Sequence, residues 1–81
     1  MDIAYSERSQ AALEGAPASV RKAFYKQARL LAANRRHPSL RAKKYDEAND
    51  IWQARINRAW RFYFTIEGDT YRIQNIVPHP K

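Results

Sequence analysis

The sequence contains no cysteine. No disulfide can staple the fold, and a thiolate zinc site is excluded. The two histidines alone make a poor structural metal site. Glycine occurs only at positions 15 and 68, so there is no glycine-rich phosphate loop. A nucleophile elbow, a carboxylate pair at recognisable spacing and a metal-binding histidine motif are also missing. These absences remove most conventional hydrolases, kinases and dehydrogenases. No apolar run approaches the roughly 20 residues a membrane span needs. The N-terminus, Met1-Asp2-Ile3, starts on an acid with no apolar stretch behind it, unlike a secretory signal. We expect a cytoplasmic protein without a membrane partner, a metal or a small-molecule cofactor.

Acidic residues are scarce as well. Eight stand against 15 Lys and Arg, for a net charge of +7. From Gly15 through Tyr45 there is none, while Arg21, Lys22, Lys26, Arg29, Arg35, Arg36, Arg41, Lys43 and Lys44 fall in that window. Such a balance points to a polyanionic partner. Asp46, Glu47 and Asp50 follow closely, so the basicity is local rather than uniform.

What is present suffices for one small domain over residues 1–81. The composition, 44% apolar and 12% aromatic, is that of a globular chain. Its core is thin, because a domain this size buries only roughly 60% of its unfolded surface. Asp2 to Tyr5 reads as a short strand. Ser6 is a natural N-cap for a first helix, and Gly15 a natural residue to end it. Pro17 suits the start of a second helix running to about Asn34. There Val20, Phe24, Ala28 and Leu31 form one apolar stripe, with Lys22, Lys26 and Arg29 opposite. Pro38 prevents continuation. His37 to Asn49 reads as a polar, basic loop with Leu40 as its buried anchor.

The last third alternates. Trp52, Ala54 and Ile56 share one face, and Gln53 and Arg55 the other. Trp60, Phe62, Phe64 and Ile66 then alternate with Arg61, Tyr63 and Thr65. Asn57-Arg58-Ala59 is short enough for a hairpin, and Gly68-Asp69 is a strong turn pair. A final strand spans about Thr70 to Val77, ended by Pro78 and Pro80. The sum is α+β, in the order β-α-α-β-β-β: two N-terminal helices packed on one face of a small, mainly antiparallel sheet.

The polar sheet face is the sharpest feature. Adjacent strands bring Arg55 and Arg61 together, and two guanidiniums side by side repel. A phosphate would offset that, since the arginine fork matches it bidentately. The alternative is a solvated pair neutralised by Asp50 or Glu67. Tyr63 shares this face, where it can stack on a base. His79, held between two prolines, is placed to move a proton near neutral pH, or is simply an exposed tail residue. His37 serves its turn.

The runs His37-Pro38-Ser39-Leu40-Arg41-Ala42-Lys43-Lys44, Ile51-Trp52-Gln53-Ala54-Arg55-Ile56 and Trp60-Arg61-Phe62-Tyr63-Phe64 resemble the RelE/ParE superfamily of toxins from type II toxin–antitoxin systems. The resemblance covers nearly the whole chain. It implies a small basic toxin held inactive by a cognate antitoxin, whose acidic segment wraps the basic surface. RelE-like members cleave ribosome-bound mRNA without a metal; ParE-like members instead inhibit DNA gyrase, and a catalytically inactive, nucleic-acid-binding member of the same fold is the remaining alternative. On the first reading, Arg61 corresponds to the arginine that contacts the scissile phosphate. Arg55 is a second charge stabiliser, and His79 the proton donor to the leaving 5′-oxygen. The product is a 2′,3′-cyclic phosphate. Arg41, Lys43, Lys44, Gln53, Tyr63 and Lys81 are the candidates for nucleic-acid contact. The sequence departs from the family pattern in three places: Pro80 and Lys81 follow His79 where some members have a Tyr, Ser39 stands about where some nucleases carry a carboxylate, and Gln53 stands where a Lys is found in the family.

Overall fold

The computed structural model describes residues 1–79. Lys81, one of the nucleic-acid candidates, and Pro80 lie outside the described residues. The chain runs β1 (Asp2–Tyr5), α1 (Glu7–Gly15), α2 (Ala18–Ala33), a 3₁₀ turn (Pro38–Leu40), β2 (Lys43–Asp46), β3 (Ile51–Arg55), β4 (Trp60–Glu67) and β5 (Thr70–Pro78). The strands form one sheet in the order β1-β5-β4-β3-β2. Among the described residues only β1 runs parallel to its neighbour, β5. The other pairings are antiparallel.

Local chemistry explains most boundaries. Ser6 caps α1, its Oγ accepting from the Ser9 N–H at 3.1 Å. That hydroxyl also donates to the Gln74 carbonyl at 3.0 Å, which pins the helix start to β5. A cap of this kind contributes about 1 kcal/mol. Gly15 does not terminate α1 in a left-handed conformation. It stays helical, and extended Ala16 closes the helix by donating to the Leu13 carbonyl. Helix α2 ends at Ala33, with Asn34 as its cap. The β4–β5 turn takes a positive φ at Gly68 (61°), the conformation for which a hairpin recruits glycine.

Two further readings of the sequence change. The basic loop contains a fourth meander strand, β2. Lys43-Lys44-Tyr45-Asp46 has weak strand propensity and no alternating apolar face. It is held by pairing with β3, and lysines on such an edge discourage further strand addition. The final strand also runs one residue further, through Pro78, opposite Trp60. Strand β1 reaches only as far as Ile73, so β5 is open on that side at Pro78 and the missing N–H costs no ladder bond.

The helices cover one sheet face. Phe24 and Leu31 from α2, Leu40 from the 3₁₀ turn, Phe62 and Phe64 from β4 and Ile73 from β5 are completely buried. Phe24 meets Phe62 edge-on, with centroids 5.3 Å apart. Each such side chain contributes roughly 1.5–3 kcal/mol on burial. A bulge in the β4–β5 ladder, between Tyr63 and Phe64, lets Ile73 and Ile76, three residues apart, both face the core. Besides Ser9 of α1, Gln27 is the buried polar side chain among the described residues. It is buried on the α2 stripe, and its Nε2 donates to the Ser39 carbonyl at 3.2 Å and the Arg55 carbonyl at 2.8 Å. One amide thus ties α2, the 3₁₀ turn and the end of β3 together, and those are the elements that carry the site.

Candidate functional site

On the uncovered sheet face, Arg55 and Arg61 are direct cross-strand partners. They line a cup of about 200 Å³ with Arg41, Lys43, Gln53, Ala54 and His79. Among the described residues four cations therefore converge, and none of the side chains lining the cup is acidic. The neutralised-pair alternative does not hold in this structure. Asp50 binds Lys44 at 2.6 Å, and Glu67 binds Arg72 at 3.1 Å.

Each member is positioned by a nameable local cause. Arg61 is half-buried, and its guanidinium donates to the carbonyls of Asn57 (2.7 Å) and Trp60 (3.0 Å) at the β3–β4 connection. Burial first, then the charges of Arg55 and Arg41, lower its pKa. The backbone N–H of His79 donates to the Ala59 carbonyl at 2.6 Å, so the residue is tied to the same connection rather than left as a loose tail. Its side chain is exposed at the rim of the cup.

Arg41 is the most telling. It caps the 3₁₀ turn in the left-handed conformation, with φ 46° and ψ 41°. That costs a non-glycine residue roughly 1–2 kcal/mol. The surroundings hold it there. Leu40 is completely buried, Gln27 grips the Ser39 carbonyl, and His37 Nδ1 accepts from the Ser39 N–H at 3.2 Å. Glycine would relieve the strain but supply no charge to the cup.

Strand alternation sorts the remaining candidates. Lys43 pairs with Gln53 in register and joins the cup. Lys44 pairs with Trp52 instead. Its Nζ sits 5.1 Å from the Trp52 ring centroid, and its hydrogen bond to Asp50 raises its pKa. Lys44 therefore does not belong to the cluster with Arg55 and Arg61. Tyr63 lies beside the cup, its hydroxyl accepting from Gln53 Nε2 at 3.1 Å. The basic residues of α2, Lys22, Lys26 and Arg29, are exposed on the helical side, away from the cup.

Two residues escaped the sequence reading. Gln27 was legible as a polar residue on an apolar helical stripe. Tyr45, whose ring packs on Tyr63 at 4.8 Å between centroids, carried no such mark inside a basic segment.

No protein-family model matches the sequence, and no curated protein does either. Solved structures do match. A YoeB/ParE toxin from Agrobacterium tumefaciens superposes with a TM-score of 0.81 at 14% identity, over 99% of this chain and 100% of its own. The archaeal RelE–RelB complex from Pyrococcus horikoshii gives 0.79 at 15% identity, over 95% of this chain and 92% of the matched one. The isolated E. coli RelE toxin gives 0.79 at 12% identity, over 99% and 85% respectively. The chain therefore has the α+β fold of the RelE, YoeB and ParE toxins. It presents a cationic cup on the sheet face that its helices leave open.

Proposed function

We propose that this chain is the toxin of a type II toxin–antitoxin pair, and that it cleaves mRNA on the ribosome. The observation that carries the reading is the cup itself: Arg41, Lys43, Arg55 and Arg61 converge with His79 at the rim, and among the described residues no acidic side chain lines it. Uncompensated like charges on a thin fold are costly, and a phosphate is the ligand that offsets them. The fold is that of toxins solved with RelB or YefM as antitoxin, which supports a cognate antitoxin as partner here.

The reaction needs few parts. A base removes the proton from a ribose 2′-OH, and the 2′-oxygen attacks the adjacent phosphorus in line as the 5′-oxygen leaves. Arg55 and Arg61 stabilise the charge that develops on the phosphoryl oxygens, each worth on the order of 10²–10³ in rate. His79 gives its proton to the leaving oxygen. The products are a 2′,3′-cyclic phosphate and a 5′-hydroxyl.

The same lack of a carboxylate favours a second reading, a ParE-like inhibitor of DNA gyrase that performs no chemistry. Induced expression separates the two. Cleavage predicts growth arrest with new mRNA 5′ ends inside translated regions, relieved by Arg61→Ala and by His79→Ala while both variants stay folded. Arrest with intact mRNA and lost gyrase supercoiling overturns the nuclease reading in favour of the second.

A further inference from the structure

We propose that a groove next to the cup seats a nucleobase of the same RNA strand whose phosphate the cup holds. This rests on the RNA-binding reading above and adds a base-binding subsite to it. The groove encloses about 540 Å³ on the same sheet face, and Tyr45, Tyr63, Ile51 and Val77 supply its apolar and aromatic surface. It has the makings of a stacking platform. Tyr45 is 61% exposed, an unusual state for a large ring, yet it is not loose. It packs on Tyr63, and Tyr63 is in turn held by the Gln53 amide. A ring fixed before the ligand arrives costs little to order on binding.

Continuity with the cup selects the occupant. Gln53 lines the cup and touches Tyr63, so one side chain borders both sites. Tyr63 follows Arg61 by two residues on β4, which places it on the same face about 7 Å away. That suits the step from a held phosphate to the base of an adjoining nucleotide. No acid lines the groove, and Arg8 adds a further cation to its wall. Asn75 offers polar recognition at the edge: its Oδ1 accepts from the Ile76 N–H, which leaves the NH₂ as a donor toward a base. Aromatic surface beside a charged backbone track is how single-stranded nucleic acid is bound.

The test uses the whole protein and a short fluorescent RNA whose 2′-oxygens are methylated, so that it binds without being cleaved. Anisotropy titrations compare the intact strand with strands made abasic at each position in turn. We expect one abasic position to weaken binding about tenfold, the scale of a lost base–aromatic stack. Tyr45→Leu and Tyr63→Leu each weaken the intact strand by a similar factor and leave that abasic strand unchanged. Tyr25→Leu, an exposed ring on the helical side, serves as the control. Equal affinity for all abasic strands, with binding still dependent on Arg61, overturns the groove and leaves the RNA reading standing. Failure to bind RNA at all, or binding indifferent to Arg61→Ala, overturns the groove, and the expression test above then decides the ribosomal cleavage reading separately. Variants that bind RNA normally but no longer bind the antitoxin assign the groove to the protein partner and also overturn the proposal.

Discussion

The Arg55–Arg61 pair makes a testable trade between stability and function. The two residues sit directly opposite on β3 and β4, with Arg41 and Lys43 beside them and, among the described residues, no acidic side chain lining the cup. Like charges in that relation destabilise a sheet by roughly 0.2–1 kcal/mol, solvent screening included. Arg55→Gln is the cleaner perturbation. Arg61 donates to two backbone carbonyls that its loss would strand. Arg55 contributes its backbone carbonyl to Gln27, and a substitution leaves that bond in place. In 0.01 M chloride the Debye length is about 30 Å and the repulsion is fully felt. There Arg55→Gln should melt about 1–8 °C above wild type, at about 4–8 °C per kcal/mol for a domain of this size. In 1 M salt, where the Debye length is about 3 Å, the gap should close. Arg55→Lys retains the charge and should show no gain. Phosphate should raise the melting temperature of the wild type more than that of Arg55→Gln, because it binds the folded cup. Thermal melts followed by circular dichroism read all of these. The stabilised variant should at the same time lose growth arrest on expression. An Arg55→Gln protein that melts at or below wild type in low salt would refute the claim that the cup is held together against its own charge.

Three further outcomes follow from individual contacts. Gln27→Leu leaves the Ser39 and Arg55 carbonyls without their donor, so urea melts should show a loss of about 1–3 kcal/mol, with weakened RNA binding from a cup that has lost its tie. Arg41→Gly should raise stability by up to about 1 kcal/mol, because glycine adopts φ 46° without strain, while RNA affinity falls; a destabilised variant would show that the left-handed backbone is not strained. Burial, and secondarily the neighbouring Tyr25, raises the Tyr5 pKa above 10, so its contribution is present below pH 10 and lost as the pH climbs through the raised value; melts between pH 8 and 11 should fall less steeply for Tyr5→Phe than for wild type.

Much of this architecture could be read from residue order. The Ser6 cap located the first helix, an apolar stripe the second and alternation the long strands, because a thin core leaves few other ways to bury Phe24, Leu31, Phe62 and Phe64. The pairing of Arg55 with Arg61 was equally legible, since a short connection between two alternating strands puts them opposite one another. Strand β2 was not, because Tyr45 is the one strand-favouring residue in Lys43-Lys44-Tyr45-Asp46, too little to mark a strand before β3 is there to pair with it. Its register then divided two adjacent lysines that looked equivalent: Lys43 entered the cup, and Lys44 went to Trp52 and Asp50.

By itself, then, the sequence determined a staple-free α+β fold, a local surplus of positive charge and an arginine pair on one sheet face. These depend on composition and on the 3.6- and 2-residue periods, which are local properties. The tertiary structure alone decided that Arg41 reaches the same cup from a strained turn, that Gln27 braces that turn against β3, and that Tyr45 meets Tyr63 beside it. Those juxtapositions join residues far apart in the chain. Their geometry is set by the packing of α2, the turn and the sheet edge on one another, and no local pattern encodes it.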